Sequence, residues 1–171
     1  MPPSPPAGAE RATPLLLDAT VLNNFLKVER LLLLRSLFPG SLCVAAEVYD
    51  ELKAGGLEAP IREGIGDGWL RLVTPESGRE TTLYGEYGQT LGSGEAASLA
   101  IAICRGWSLA TDDRAARRAA RAAGIALTGS VGILIVAIQS ETITRPEGDR
   151  LLQDMRRHGY RFPIDRLEGL I

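Results

Sequence analysis

Short apolar runs alternate with longer segments of helical periodicity along most of this chain. The apolar runs predict buried strands at residues 15–17, 41–44, 69–73, 107–110 and 125–127. The intervening periodicity predicts helices at residues 18–27 continuing through 29–37, 45–53, 59–67, 95–105, 112–123 and 131–140. Residues 76–91 are polar and contain glycine, and are interpreted as a loop with room for one helical turn. This alternation predicts an α/β fold with a mainly parallel sheet of about four to five short strands, covered on both faces.

The two ends of the chain depart from this alternation. Residues 1–13 begin with four prolines among the first six positions, which is typical of a disordered tail. Residues 148–171 predict a C-terminal segment of two short helices, broken at Gly159 and Pro163. Residues 14–171 are therefore predicted to form one domain, and the length of 171 residues suits a single full core.

Composition narrows the function classes. The formal net charge of −2 argues against a generally cationic nucleic-acid binder but is compatible with a local basic groove. Cys43 and Cys104 form no CxxC pair and have no histidine cluster beside them, so zinc is not expected. No secretory signal is visible, and the longest apolar stretch, residues 131–138, is too short to span a bilayer, so a cytoplasmic protein is expected.

Acidic residues recur where strands end or helices begin. Asp18 and Asp113 follow apolar strands, and Glu51 and Glu95 lie on predicted helices. Parallel sheets bring the carboxyl ends of their strands to one edge, so these side chains are expected to converge there. Converging carboxylates repel one another unless a divalent cation lies between them. The arrangement therefore predicts a Mg²⁺- or Mn²⁺-dependent site that cleaves phosphodiesters.

Each acid also has an ordinary helical explanation. Asp18 could be the N-cap of the helix that follows it, and Glu95 stands in a first helical turn, where the macrodipole favours acids. Asp112 and Asp113 could likewise stand in a first helical turn, with Thr111 as the N-cap. The order and context of the acids therefore favour the metal site more than their mere presence does.

Four short motifs in this order resemble the PIN-domain family of metal-dependent ribonucleases. The resemblance covers nearly the whole chain after the tail and rests on Asp18-Ala19-Thr20, Val48-Tyr49-Asp50-Glu51-Leu52, Gly92-Ser93-Gly94-Glu95-Ala96 and Thr111-Asp112-Asp113-Arg114. It implies a three-layer α/β/α fold, Mg²⁺ or Mn²⁺ as cofactor, and cleavage of single-stranded RNA. Residues 155–162 resemble a bacterial and archaeal branch associated with toxin–antitoxin pairs. That branch implies a small antitoxin partner, and a homodimer is expected because family members often dimerise.

The resemblance assigns catalytic roles to particular acids. Asp18, Glu95 and Asp113 match the acidic positions of the family and would bind the metal. Glu51 matches a further position, but Glu47 lies one helical turn earlier on the same face, so either could reach the metal.

Neighbouring residues complete this expected site. Asp112 competes with Asp113 for the same role, and both remain open on the sequence. Thr20 and Thr111 match hydroxyl positions, and Thr20 could hold a metal-bound water.

An arginine stripe follows the last acidic motif. Arg114, Arg117, Arg118 and Arg121 have i, i+3, i+4, i+7 spacing, which places them on one helix face. The stripe is either a solvated face or a surface that binds RNA or an acidic partner.

Three function classes compete on this sequence. The favoured one is an endoribonuclease, and the alternative is a non-catalytic PIN-fold scaffold that binds RNA or protein. Phosphotransfer on a similar sheet is rejected, because Thr20 stands where a phosphatase of that fold needs a second aspartate. A receiver domain needs a late lysine, and the last lysine here is Lys53.

Overall fold

The computed structural model describes residues 12–163 and 166–171. Its strands are β1 (Leu15–Leu17), β2 (Leu42–Ala45), β3 (Leu70–Val73), β4 (Ser108–Ala110) and β5 (Leu127–Thr128). They form one parallel sheet in the order β3-β2-β1-β4-β5. Leu16, Leu17 and Val44 are fully buried, as expected for central strands covered on both faces.

Helices cover the sheet on both sides. They are α1 (Ala19–Lys27), α2 (Leu31–Leu37), α3 (Ala46–Ala54), α4 (Glu58–Gly66), α5 (Gly78–Tyr87), α6 (Ser93–Arg105), α7 (Arg114–Ala122), α8 (Ser130–Gln139) and α9 (Arg145–Arg157). In one group, α5 and α7 pack against α6. In the other group, α1, α2 and α9 all pack against α8. The predicted three-layer α/β/α fold with a parallel sheet is confirmed.

Helix α5 lies where the sequence predicted a loop, and that prediction is wrong. Ser77 begins the helix with a capping box: its hydroxyl accepts from the Glu80 N–H at 3.0 Å, and the Glu80 carboxylate accepts from the Ser77 N–H at 3.2 Å. Tyr84 and Tyr87 pack against the core. The Ser-x-x-Glu signal was present in the sequence, but a polar helix of this length depends on tertiary packing for most of its stability.

The predicted continuous helix at residues 18–37 is also wrong, since it breaks between α1 and α2. Glu29 adopts the left-handed conformation with φ of 56°. The Arg30 N–H donates to the Phe25 carbonyl at 2.8 Å and the Glu29 N–H to the Leu26 carbonyl at 3.0 Å, which is a Schellman ending. Glycine usually occupies that left-handed position, so a glutamate there gave no sequence signal.

The C-terminal segment holds one helix rather than two in its described part. Helix α9 ends before Gly159, which has φ of 98°, and residues 160–163 and 166–171 form turns and irregular structure. Strand β5 begins two residues later and ends one residue later than predicted. The predicted tail at residues 1–13 falls mostly outside the described residues, which begin at residue 12. None of the helices described is long and apolar enough to cross a membrane.

The strand order places a crevice between β1 and β4. The chain moves from β1 to β2 on one side, and β4 later pairs with β1 on the other. Asp18 follows β1 and Thr111 follows β4, and the Asp18 N–H donates to the Ala110 carbonyl at 3.0 Å. Parallel sheets bind ligands at the carboxyl ends of strands where the order reverses in this way.

Candidate functional site at the carboxyl edge of the sheet

Asp18 is a buried carboxylate with one oxygen held and the other without a partner. Asp18 precedes α1, but its side chain makes no N-cap hydrogen bond to that helix. The residue is 1% exposed. Its Oδ2 accepts from the Thr111 hydroxyl at 2.7 Å and the Thr20 hydroxyl at 3.0 Å. Its Oδ1 is buried and has no hydrogen-bond partner among the described residues. An N-cap role therefore does not explain this side chain.

Burial raises the pKa of Asp18 above its ordinary value, against the opposing effect of the two threonine hydrogen bonds. The negative charge of Glu51 raises this pKa further. The threonines are themselves oriented, because the Thr20 hydroxyl accepts from the Asp112 N–H at 2.9 Å and the Thr111 hydroxyl from the Asp113 N–H at 3.2 Å. Both hydroxyl protons are thus directed to Asp18 Oδ2.

Glu95 and Glu51 meet at the N-terminus of α6. Glu95 Oε2 accepts from the Gly92 N–H at 2.8 Å, and Glu51 Oε1 accepts from the Gly94 N–H at 2.7 Å. A Cβ on Gly94 would lie 2.8 Å from Glu51 Oε1, so glycine permits this approach. Burial raises the pKa of Glu95, and the charges of Asp18, Asp113 and Glu51 add to that effect. Asp18, Glu51, Glu95 and Asp113 therefore share one electrostatic environment, and together they form an acidic cluster.

Asp112 and Asp113 are adjacent in sequence but differ in their partners. Asp113 Oδ1 accepts from the Ala116 N–H at 2.8 Å and caps α7. Asp112 uses both oxygens, which accept from the Ser130 N–H at 3.0 Å and from the Asn24 amide at 3.1 Å, among other bonds. Asp112 thus anchors α1 and α8 through its hydrogen bonds. Asp113 belongs to the acidic cluster, because its charge acts on Glu95.

A family model described as a PIN domain matches residues 14–171. The chain belongs to the PIN-domain family. No curated protein matches it, so the family model carries this assignment. PIN domains have a nuclease-type fold and are generally nucleases that use divalent metals.

The carboxylates of this PIN domain offer oxygen ligands for such a metal. In the described ranges, no group of three or more His, Cys, Asp or Glu side chains is arranged to hold an ion by itself. However, Asp18 Oδ1 and Glu47 Oε2 are buried and have no hydrogen-bond partner in the part of the chain that the structure describes. Carboxylate oxygens are the ligands that hard cations prefer. Mg²⁺ commonly keeps several waters and takes only one or two protein carboxylates. The donor set therefore fits Mg²⁺ or Mn²⁺ with water completing the coordination.

The arginine stripe of this PIN domain is not uniformly solvated. Arg114, Arg118 and Arg121 are exposed. Arg117 is partly buried, and its Nη1 donates to the Thr111 carbonyl at 2.7 Å and the Thr128 carbonyl at 2.9 Å. Arg117 thus ties the ends of β4 and β5 together and differs in its surroundings from the three exposed arginines. A role of the stripe in binding RNA or a partner stays a prediction.

Three residues that were not predicted from the sequence anchor Asp112. Asn24 is buried on α1 beside Phe25, and Ser130 begins α8. Tyr160 donates its hydroxyl to Asp112 Oδ1 at 3.1 Å, and burial together with the Asp112 charge raises the Tyr160 pKa. A polar Asn on an otherwise apolar helix face was the one signal that could have indicated this network.

Proposed function

We propose that this chain is a metal-dependent endoribonuclease that hydrolyses single-stranded RNA. The observation that carries the proposal is Asp18, a buried carboxylate whose Oδ2 is fixed by two hydroxyls and whose Oδ1 has no partner within residues 12–163 and 166–171. A buried ionised oxygen without a partner is costly, and a cation would remove that cost. The raised pKa of Glu95 supports the same placement, since Asp18, Asp113 and Glu51 contribute to it.

Each acid has a distinct part in the proposed reaction. Mg²⁺ or Mn²⁺, when bound, supplies polarisation of the scissile phosphate and neutralises the acidic cluster. Asp18, Glu95 and Asp113 would hold the ion, and Glu47 would be an alternative ligand because its Oε2 has no hydrogen-bond partner among the described residues. Thr20 and Thr111 keep Asp18 in one orientation.

The remaining step is the hydrolysis of one phosphodiester bond. Glu51 or Asp113 orients a water molecule and accepts its proton as the water oxygen attacks phosphorus. The bond from phosphorus to one ribose oxygen breaks, and the departing oxygen takes up a proton from solvent. Glu51 has one carboxylate oxygen committed to the Gly94 N–H, which leaves its other oxygen for this task.

Digestion of unstructured RNA with and without Mg²⁺ or Mn²⁺ tests the proposal. Asp18→Asn should abolish cleavage and weaken divalent binding by on the order of 1–3 kcal/mol. Asp67→Asn is the matched control, since this exposed aspartate follows α4, which leads into the amino end of β3. Full cleavage by the Asp18→Asn protein would refute the mechanism.

A non-catalytic scaffold is the second candidate, favoured by one specific observation. Glu51, Glu95 and Asp113 each accept a backbone N–H at a helix start, which is also what purely structural caps do. Divalent-dependent thermal stabilisation separates the two candidates. A nuclease should gain stability with Mn²⁺ by mass action and lose that gain in Asp18→Asn, whereas a scaffold should show no gain in either protein.

The resemblance to toxin–antitoxin PIN proteins supports a further part of the proposal. We place the enzyme in the cytoplasm as the toxin of such a pair, held inactive by a small antitoxin, and expect a homodimer. Arg114, Arg118 and Arg121 are exposed and offer a basic surface to an acidic partner. Co-purification with a small protein encoded beside it, and loss of RNA cleavage in that complex, would test this part.

A further inference from the structure

A groove made of two neighbouring pockets lies beside Asp113, between the start of α7, the end of α9 and residues 160–163. Its first part, about 560 Å³, is lined by residues that include Thr20 and Asp113. Its second part, about 790 Å³, includes Arg156 and Phe162 among its walls. The two parts share Arg114, Tyr160 and Arg161. The two parts therefore lie side by side, and the first contains Asp113 of the proposed cleavage site.

The second part of the groove concentrates positive charge. Arg114, Arg156 and Arg161 are exposed, and none of them pairs with a carboxylate within residues 12–163 and 166–171. Arg157, by contrast, is paired with Asp154 at 2.8 Å. The whole chain carries a net charge of −2, so this local excess is not an average property of the protein. Three guanidinium groups that line one pocket without a carboxylate partner in the described residues suit a polyanion.

The groove also contains a fixed aromatic stack. The rings of Tyr160 and Phe162 lie 6.0 Å apart between centroids, with planes 21° apart. The Tyr160 hydroxyl donates to Asp112 at 3.1 Å, which ties this stack to the edge of the sheet next to Asp113. Phe162 is only partly buried. An aromatic platform in a cationic groove is how proteins hold unpaired nucleotides.

We infer that this groove binds the unpaired nucleotides next to the scissile phosphate, with a base stacked on Phe162. Arg114, Arg156 and Arg161 bind the phosphates of the same strand. A duplex keeps its base faces stacked internally, so it cannot use the Phe162 platform and binds through phosphates alone. The inference rests on the proposed function for the identity of this strand as substrate. The groove thus makes the protein prefer single-stranded over double-stranded RNA.

Metal-free binding tests the groove without requiring cleavage. Fluorescence anisotropy of a labelled oligouridine, with excess chelator, compares the full-length protein with its variants, and a duplex of equal length is measured alongside. We expect Phe162→Ala to weaken single-strand binding at least about fivefold, and Phe162→Trp to preserve it. Arg156→Ala should reduce the slope of log affinity against log salt by about 0.7. Arg62→Ala is the matched control, because it is exposed on α4 near β3, at the other edge of the sheet from α7.

Several results would overturn the inference. These are equal affinity for single strand and duplex, or unchanged binding in both Phe162→Ala and Arg156→Ala. A third such result is that the variants no longer bind an acidic protein partner but keep full affinity for RNA. That result would assign the groove to the protein partner. Because Arg156 is exposed, its variant remains informative even where Phe162→Ala does not fold. A protein that binds oligouridine as expected but never cleaves RNA would refute the nuclease proposal and retain the groove.

Discussion

The ion pair between Glu80 and Arg105 offers a quantitative test of how α5 is held in place. Glu80 is 3% exposed, and its carboxylate accepts from Arg105 at 2.7 and 3.1 Å. The same carboxylate accepts from the Glu76 N–H at 2.7 Å and the Ser77 N–H at 3.2 Å. Glu80→Gln removes the charge and replaces one oxygen by an amide group that faces other donors. The variant therefore loses both the ion pair and part of the capping box.

The expected magnitude follows from the pKa of this carboxyl. The hydrogen bond from Arg105 is the largest cause that lowers the pKa of Glu80 from its ordinary 4.5 to about 2, against the opposing effect of burial. The Glu76 and Ser77 N–H groups and the Arg105 charge add to the lowering. Each pKa unit corresponds to about 1.4 kcal/mol, which gives roughly 3 kcal/mol at neutral pH. The Arg105 side chain is 23% exposed, and solvent screens part of that energy, so we expect a loss of about 2–3 kcal/mol.

The pH dependence has a definite sign. Because the folded protein holds the lower pKa, the stabilisation is present above pH 4.5 and is lost as the pH falls from 4.5 toward 2. At pH 3 about two-fifths of it should remain. Urea unfolding of the parent and Glu80→Gln proteins at neutral pH and near pH 3 measures this change. A difference between the two proteins that is independent of pH would refute the reasoning, because it would show that charge is not the source of the stabilisation.

Three further substitutions test the geometry around the site. Gly129→Ala should destabilise the protein by about 1–3 kcal/mol in urea unfolding, because its Cβ would lie 2.5 Å from Asp112 Oδ1. Arg117→Ala should cost about 1–3 kcal/mol in the same assay through two lost carbonyl bonds, whereas alanine at an exposed arginine of α7 should change little. Gly94→Ala should displace Glu51 and reduce RNA cleavage and Mn²⁺-dependent thermal stabilisation together. Unchanged cleavage with a shifted melting temperature would limit Gly94 to a packing role.

The local pattern of the sequence was sufficient for the α/β fold class, although not for helix α5 or for the break between α1 and α2. Runs of three or four apolar residues, such as Leu15–Leu17, are too short for buried helices and are apolar on both faces, which only a covered parallel sheet accommodates. Glycines at the ends of α6 and α7 marked where those helices stop, and Gly106 and Gly124 are left-handed. Placement of Asp18 and Asp113 at one edge of the sheet followed from the general rule for parallel sheets. The adjacency of β1 and β4 was decided by the tertiary structure.

Tertiary contacts decided what local pattern could not. The sequence left Asp112 and Asp113 equivalent, and their roles differ because Ser130 and Tyr160, 18 and 48 residues away from Asp112, engage it. Helical spacing places Arg117 in a surface stripe, yet its guanidinium donates a hydrogen bond to the Thr128 carbonyl at the end of β5. Helical periodicity reports which face a side chain occupies, but only the folded chain determines which donors and acceptors lie opposite that face. A hydrogen bond or ion pair joins two distant points of the sequence, so neither point alone carries the signal for it.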